Sequence, residues 1–367
     1  MATALNPRTS DQRRGAIQMG EVLVVGLPQF KFFMEYGPEQ GRKVTPGGSG
    51  TESNVHKLPI SENMAGVSMR LNPGGLRELH WHATAAEWGY VVRGRVWVTA
   101  INLEGHWEAA DCDEGDIFFF PRGWGHSIQG LGPDEAHFIL VFDNGSFSEF
   151  GTFSASDWIG HTPPQVLGTN FGVPPETFAK FPKSEVWIVP GPVPPPLPTG
   201  AGDPHPVRFV YRMSAMEPQQ FPGGTLKLVT VNEFPMSSTM CGALMTIQPG
   251  SLRELHWHPG SDEWQYVIKG RIRVGLFGSG GRMRIEELGW GDSGYIPSGY
   301  GHYIESIGDE DAQVLFGFNS GSHQSISASE WFERNSTQLL ATNFGVPESV
   351  IEKLVLENQF VRKGTKT

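Results

Sequence analysis

Three histidines and a glutamate, His80, His82, Glu87 and His126, recur 176 positions later as His256, His258, Glu263 and His302. Three neutral imidazole nitrogens and one carboxylate form a ligand set for a divalent first-row metal, with positions left open for water, substrate or dioxygen. The set admits iron, nickel, cobalt or zinc as well as manganese. Two complete copies at one spacing, among twelve histidines in all, make two metal sites the expectation.

Each His-x-His pair needs a strand, because side chains alternate there with period two and only then do both imidazoles share one face. Trp81 and Trp257 then point away, as outward aromatic anchors. The surrounding sequence repeats as well. Arg77-Glu78-Leu79-His80-Trp81-His82 returns letter for letter from Arg253 to His258, Gly94 answers Gly270, and Pro121 to His126 answers Pro297 to His302. Runs of β-branched and aromatic residues punctuated by Gly and Pro, at 67–71, 90–100, 116–121, 266–276 and 293–297, predict an all-β barrel or sandwich in each half. Each half then ends in a short helical tail, where Ser154 to Trp158 matches Ser327 to Trp331. Residues 1–55 look like an irregular N-terminal arm. A first domain is expected over 56–182, a proline-rich linker over 183–206 and a second domain over 207–360.

The 367-residue length suits two domains, each with its own core. With 28 basic against 39 acidic side chains and no basic cluster, nucleic acid is not an expected partner. No apolar run approaches the length that spans a bilayer, and the N-terminus carries no secretion signal, so a cytoplasmic location is expected. Cys112 and Cys241 form no CxxC pattern and are expected as buried small hydrophobes.

The spacing Gly-x5-His-x-His-x4-Glu-x6-Gly, from Gly74 to Gly94 and from Gly250 to Gly270, resembles the first cupin motif. Gly-x5-Pro-x-Gly-x2-His, from Gly115 to His126 and from Gly291 to His302, resembles the second. Two copies make a bicupin, and the resemblance implies two jelly-roll barrels. The phrases Leu58 to Asn63, Arg77 to His82, Asp262 to Tyr266 and Phe142 to Glu149 resemble the bicupin oxalate decarboxylases in particular, over roughly residues 30–360.

The halves differ just after the third histidine, where the offset between copies falls from 176 to 173, so the first copy carries three extra residues. Its segment 147–153 contains Glu149, whereas His323 to Ile326 contains no acid. A loop following the last ligand strand can reach over the barrel mouth as a lid. By resemblance this is the family's lid, and Glu149 is its proton-handling residue. The resemblance also makes Arg77 the partner of a substrate carboxylate, with Arg253 as its counterpart in the second domain. Strict alternation places Glu78, not Arg77, on the ligand face; an irregularity near Gly74 and Gly75 is expected to turn the arginine inward.

The resemblance implies two Mn(2+) per chain, dioxygen as co-catalyst without net oxidation, and cleavage of oxalate to formate and carbon dioxide with proton return from Glu149. It also implies homo-trimers or homo-hexamers built through the helical tails. In place of the family's usual Ser-Glu-Asn-Ser lid, Glu149 is followed by Phe150 and Gly151, and Phe316 stands where relatives often carry a glutamate. An oxalate oxidase releasing hydrogen peroxide is therefore one alternative, and a non-catalytic metal-storing bicupin is another.

Overall fold

A computed structural model describes residues 26–195 and 208–364, together with the backbone of a short ribbon pairing Ile17–Met19 with Val22–Val24. The remainder of the N-terminal arm and residues 196–207 of the expected linker lie outside the described residues. Each half is a pair of antiparallel sheets, one of six and one of seven strands, enclosing its own apolar core. No helix among the described residues is long and apolar enough to cross a membrane.

Glycine turns the corners between sheets. The Gly-punctuated run over 90–100 falls in two strands, Glu87–Arg93 and Arg95–Ile101, which belong to different sheets. Between them Gly94 adopts φ 79°, a left-handed conformation that glycine enters without a Cβ penalty. Gly270 does the same at φ 75° between Glu263–Lys269 and Arg271–Gly278.

Strands from outside the expected domain limits complete both barrels. Lys31–Phe33, from the arm, pairs with Asp292–Ile296 of the second half, while Lys43–Thr45 and Gly48–Ser53 extend the first-half sheet. In the other direction Val210–Tyr211 pairs with Ile117–Phe120 of the first half. Ile188–Val189, inside the expected linker, pairs with Leu76–Trp81. Its copy, Val361–Arg362, pairs with Leu252–Trp257.

The halves meet through a third apolar cluster that includes Trp88, Tyr90, Trp264 and Tyr266. The contact is reciprocal: a Cβ at Gly66 would collide with the Trp264 indole, and a Cβ at Gly242 with that of Trp88. Beside it, Glu35 accepts bonds from Arg42 (2.9 Å), Arg70 (2.9 Å), Ser68 (2.6 Å) and Tyr266 of the second half (3.0 Å). This carboxylate ties the arm to both barrels. The helical tails follow as expected, Ala155–His161 with Pro164–Phe171 and Ala328–Glu333 with Thr337–Phe344, and Cys112 and Cys241 are free and buried.

Candidate metal centres and the enclosed lid

In the first half, Leu76–Trp81 delivers His80, the following turn His82, Glu87–Arg93 begins at Glu87, and His126–Gly130 begins at His126. All four side chains are buried, and one donor atom from each lies within 4.8 Å of the others. His82 Nε2 lies 2.7 Å and His126 Nε2 3.2 Å from Glu87 Oε2. The second half repeats the cluster with His256, His258, Glu263 and His302, and its His258 Nε2 to Glu263 Oε2 distance is 2.8 Å.

Backbone carbonyls orient the rings. Nδ1 of His80 donates to the Glu78 carbonyl (2.6 Å) and Nδ1 of His126 to that of Trp124 (2.9 Å), which turns each Nε2 toward the cluster. His256 and His302 do the same with Glu254 (2.7 Å) and Tyr300 (3.0 Å). Burial pushes His80 and His256 well below the ordinary histidine range and His82 down to about 4, so these three imidazoles are neutral and ready to bind a cation. Burial alone would raise Glu87, but the adjacent His126 and His82 side chains bring it down to about 2. Buried Glu87 Oε1, His126 Nε2 and His302 Nε2 have no hydrogen-bond partner, an arrangement costly for a protein alone and suited to an ion.

Arg77 does turn inward, and the irregularity that turns it is not at Gly74 and Gly75. The register of Leu76–Trp81 against His126–Gly130 slips between His80, opposite His126, and Arg77, opposite Ile128. Glu78 and Leu79 thus face the single residue Ser127, a bulge that puts Arg77 and His80 on one face. The sequence from Arg253 to His256 bulges identically. Glu78 fixes the distortion, because its Oε1 accepts from the backbone of Val186 (2.9 Å) and Trp187 (2.7 Å) and its Oε2 from the Ser156 hydroxyl.

Glu149 opens a single 3-10 turn, Glu149–Gly151, with 1% of its surface exposed. Its Oε1 accepts from Arg77 Nε at 2.5 Å, while Arg77 Nη2 donates to Thr152 Oγ1 (2.8 Å). Its Oε2 is buried without a partner. Complete burial raises the carboxyl to about 7, Arg77 pulling down and Glu87 pushing up. Phe150 packs edge-on against Trp187 with centroids 5.5 Å apart, and the Lys43 ammonium lies 5.3 Å from its ring centroid. The residue that departs from the usual lid therefore has an apolar anchor of its own.

The second centre is built differently above the metal ligands. Arg253 is buried but meets no lid carboxylate; it donates to the Phe360 carbonyl (3.3 Å) and Ser325 Oγ (3.4 Å) and lies 3.6 Å from the Phe360 ring centroid. Gln265 donates to Glu263 Oε1 at 2.6 Å, where the first copy has Gly89. Phe316, Phe318 and Leu228 line the space beside the ligands. Trp81 and Trp257 do face outward, where each packs edge-on against a tail tryptophan, Trp158 or Trp331, at 5.6 Å.

Thr152, which accepts from Arg77, and Trp187, which Phe150 packs against, carry no signal of these roles in the sequence. They are single residues whose roles exist only through pairings distant along the chain.

The model of the cupin family matches residues 37–178 and 215–352. The chain is 42% identical over 293 residues to the oxalate decarboxylase OxdC of Bacillus subtilis (strain 168), covering 79% of this chain and 76% of the relative. Among solved structures, the formate complex of Lactobacillus farciminis oxalate decarboxylase superposes with TM-score 0.84 at 35% identity, over 90% of this chain and 97% of that one. A Bacillus subtilis oxalate decarboxylase studied for its Mn(II) centres superposes with TM-score 0.85 at 36% identity, over 99% and 97%.

Proposed function

Because the chain belongs to the cupin family and, within it, to the bicupin oxalate decarboxylases, we propose that this carboxy-lyase converts hydrogen oxalate to formate and carbon dioxide at the first-domain centre. The observation that carries the reading is the Arg77–Glu149 pair, enclosed beside four buried metal-binding side chains. Manganese is the metal assigned to both centres, two per chain, with His80, His82, Glu87 and His126 holding one and His256, His258, Glu263 and His302 the other. Bound there, with dioxygen as co-catalyst, it would supply Lewis acidity and a reversible one-electron path.

Arg77 has the planar fork that binds a carboxylate bidentately, so it orients oxalate once Glu149 yields its place. Glu149, raised to about 7, carries a proton at mildly acidic pH and can exchange it with substrate. When carbon dioxide leaves, the carbon of the remaining fragment takes that proton, and the C–C bond is replaced by the C–H bond of formate. Phe142, Phe147 and Phe120 pack on His82 and His126 and keep water away.

An oxidase would convert oxalic acid and dioxygen to two carbon dioxide and hydrogen peroxide. The anchoring of Phe150 on Trp187 favours the decarboxylase, since a lid that stays shut holds the fragment until its proton arrives. The second centre, with Phe316 and no lid acid, serves structure or electron transfer, and Arg253 there is the weaker carboxylate partner. The exposed apolar residues of the tails, Trp158, Phe171, Trp331 and Phe344, suit assembly into homo-trimers or homo-hexamers. The test is to give manganese-loaded protein oxalate under air and follow formate, carbon dioxide and peroxide together. Equal formate and carbon dioxide is the expected result. Peroxide matching oxalate consumed would make the protein an oxidase, and no consumption would remove oxalate as the substrate.

A further inference from the structure

The lid is held shut from a strand that precedes the first metal motif. Glu52, near the end of Gly48–Ser53, is 7% exposed and reaches under the lid turn. Its Oε2 accepts from two lid groups at once, the Ser148 hydroxyl at 2.9 Å and the Glu149 backbone N–H at 3.1 Å. Its Oε1 accepts from Asn54 Nδ2 at 3.3 Å and lies 3.5 Å from Lys57 Nζ. The first N–H groups of a helical turn have no partner within the turn. Here Glu52 takes that of Glu149, and Ser148 Oγ takes that of Phe150 at 3.3 Å. Neighbouring bonds run the same way, from Asn54 Nδ2 to the Phe147 carbonyl (3.3 Å) and from Val55 N to that of Gly145 (2.8 Å).

The second half supplies an internal control. The bond from Val55 to Gly145 recurs as Val231 to Gly321, also 2.8 Å, so the two strand ends are equivalent. At that register the counterpart of Glu52 is Leu228, which lines the cavity beside the second centre. The carboxylate under the loop and the carboxylate in the loop are therefore present together in one copy and absent together from the other. A purely structural strand residue would not need to follow the lid in this way.

We propose that Glu52 is a positioning residue, the latch that holds the lid turn closed with Glu149 aimed inward on Arg77. This rests on the functional reading above only for its consequence, which is how the reaction divides. With the latch intact, the fragment left after carbon dioxide departs stays enclosed until Glu149 protonates it. With the latch removed, the lid opens before that proton arrives, and the fragment gives up its electrons to dioxygen: oxalic acid and dioxygen leave as two carbon dioxide and one hydrogen peroxide.

The test uses the full-length protein and two variants. Glu52→Leu installs the residue the second half already carries on its equivalent strand, and Glu52→Gln keeps one acceptor oxygen. Amide hydrogen exchange over 147–152 is expected to be on the order of tenfold faster in Glu52→Leu, with Glu52→Gln between it and the wild type and Ala65–Leu71 unchanged. With manganese and oxalate under air, peroxide per oxalate consumed is expected to rise several-fold while the KM for oxalate changes little, the split expected when a closing step rather than binding is lost. Unchanged lid exchange in Glu52→Leu would overturn the latch, whatever the turnover. Faster exchange with an unchanged product ratio would overturn its role in the reaction. Absence of oxalate turnover in the wild type would sink the functional reading instead, and lid exchange would still decide the latch.

Discussion

Arg77 and Glu149, 72 residues apart in the chain, form a buried ion pair with 2.5 Å between Nε and Oε1. Each is the group the other needs when no substrate is present. A guanidinium and a carboxylate that are both 1% exposed would each be strongly penalised alone. On the proposed reading, oxalate replaces Glu149 on Arg77 with a carboxylate of its own, and Glu149, raised to about 7, is left as the neutral acid.

The raised carboxyl of Glu149 makes the stability of the metal-free protein depend on pH. A carboxyl whose pKa is higher in the fold than in the unfolded chain stabilises the fold below the unfolded value, and loses that contribution as pH climbs through the folded one. Between 4.5 and about 7, wild-type stability relative to Glu149→Gln is expected to fall. The drop should reach about 3 kcal/mol, since every tenfold difference in proton affinity between fold and unfolded chain is worth about 1.4 kcal/mol. Urea titrations of both proteins across this window check it; a difference that stays flat or rises contradicts the enclosed, raised carboxyl.

Metal binding should be countable by halves. Wild-type protein is expected to bind two equivalents of Mn(2+), and His126→Ala and His302→Ala one each, by metal analysis after dialysis. A cation at about a hundred times its dissociation constant stabilises a protein by about 2.7 kcal/mol, so adding it to metal-free protein should raise the melting temperature. Two retained equivalents in either variant would show that the four-residue set is not the site.

Glu78 supports the bulge that aims Arg77. Glu78→Ala leaves the buried amide of Trp187 without its acceptor and that of Val186 with Ser156 Oγ alone, at an expected cost of about 1–3 kcal/mol. It should also raise the KM for oxalate more than it lowers kcat, because the arginine is no longer held inward. Steady-state kinetics beside chemical denaturation separates the two effects, and an unchanged KM would show that the bulge does not depend on Glu78.

The arm and the two barrels should unfold together through Glu35. Its loss leaves Arg42, 8% exposed, without a carboxylate, while Arg70 keeps Glu135 (2.9 Å), and removing one partner of a buried pair typically costs about 3–5 kcal/mol. Glu35→Ala is expected to lower stability by that order and to split a single calorimetric transition into two. A single transition at the wild-type temperature would refute the coupling.

The residues that could do chemistry were legible because their types and spacing are local and appear twice. The eight expected ligand residues cluster as the repeat predicts, and the loop with three extra residues carries Glu149 to Arg77. Arg77 was harder: period-two alternation points it outward, and the bulge at Glu78 and Leu79 depends on bonds to Val186 and Trp187 more than a hundred residues away. The exchange of Lys31–Phe33 and Val210–Tyr211 between barrels was not legible either, since three-residue and two-residue strands carry no periodicity of their own. Glu52 was invisible for the same reason, a single acid whose partners lie across the sheet.

The most direct test of the account is the product balance of a Glu149→Gln variant, which keeps the shape of the lid and removes its proton. Manganese-loaded wild type at mildly acidic pH under air should yield formate and carbon dioxide in equal amounts, and the variant should lose formate by a factor of about 10²–10⁴, the usual worth of a positioned acid-base group. Formate produced by Glu149→Gln at the wild-type rate would contradict the assignment of proton transfer to this residue and of the chemistry to the first-domain centre.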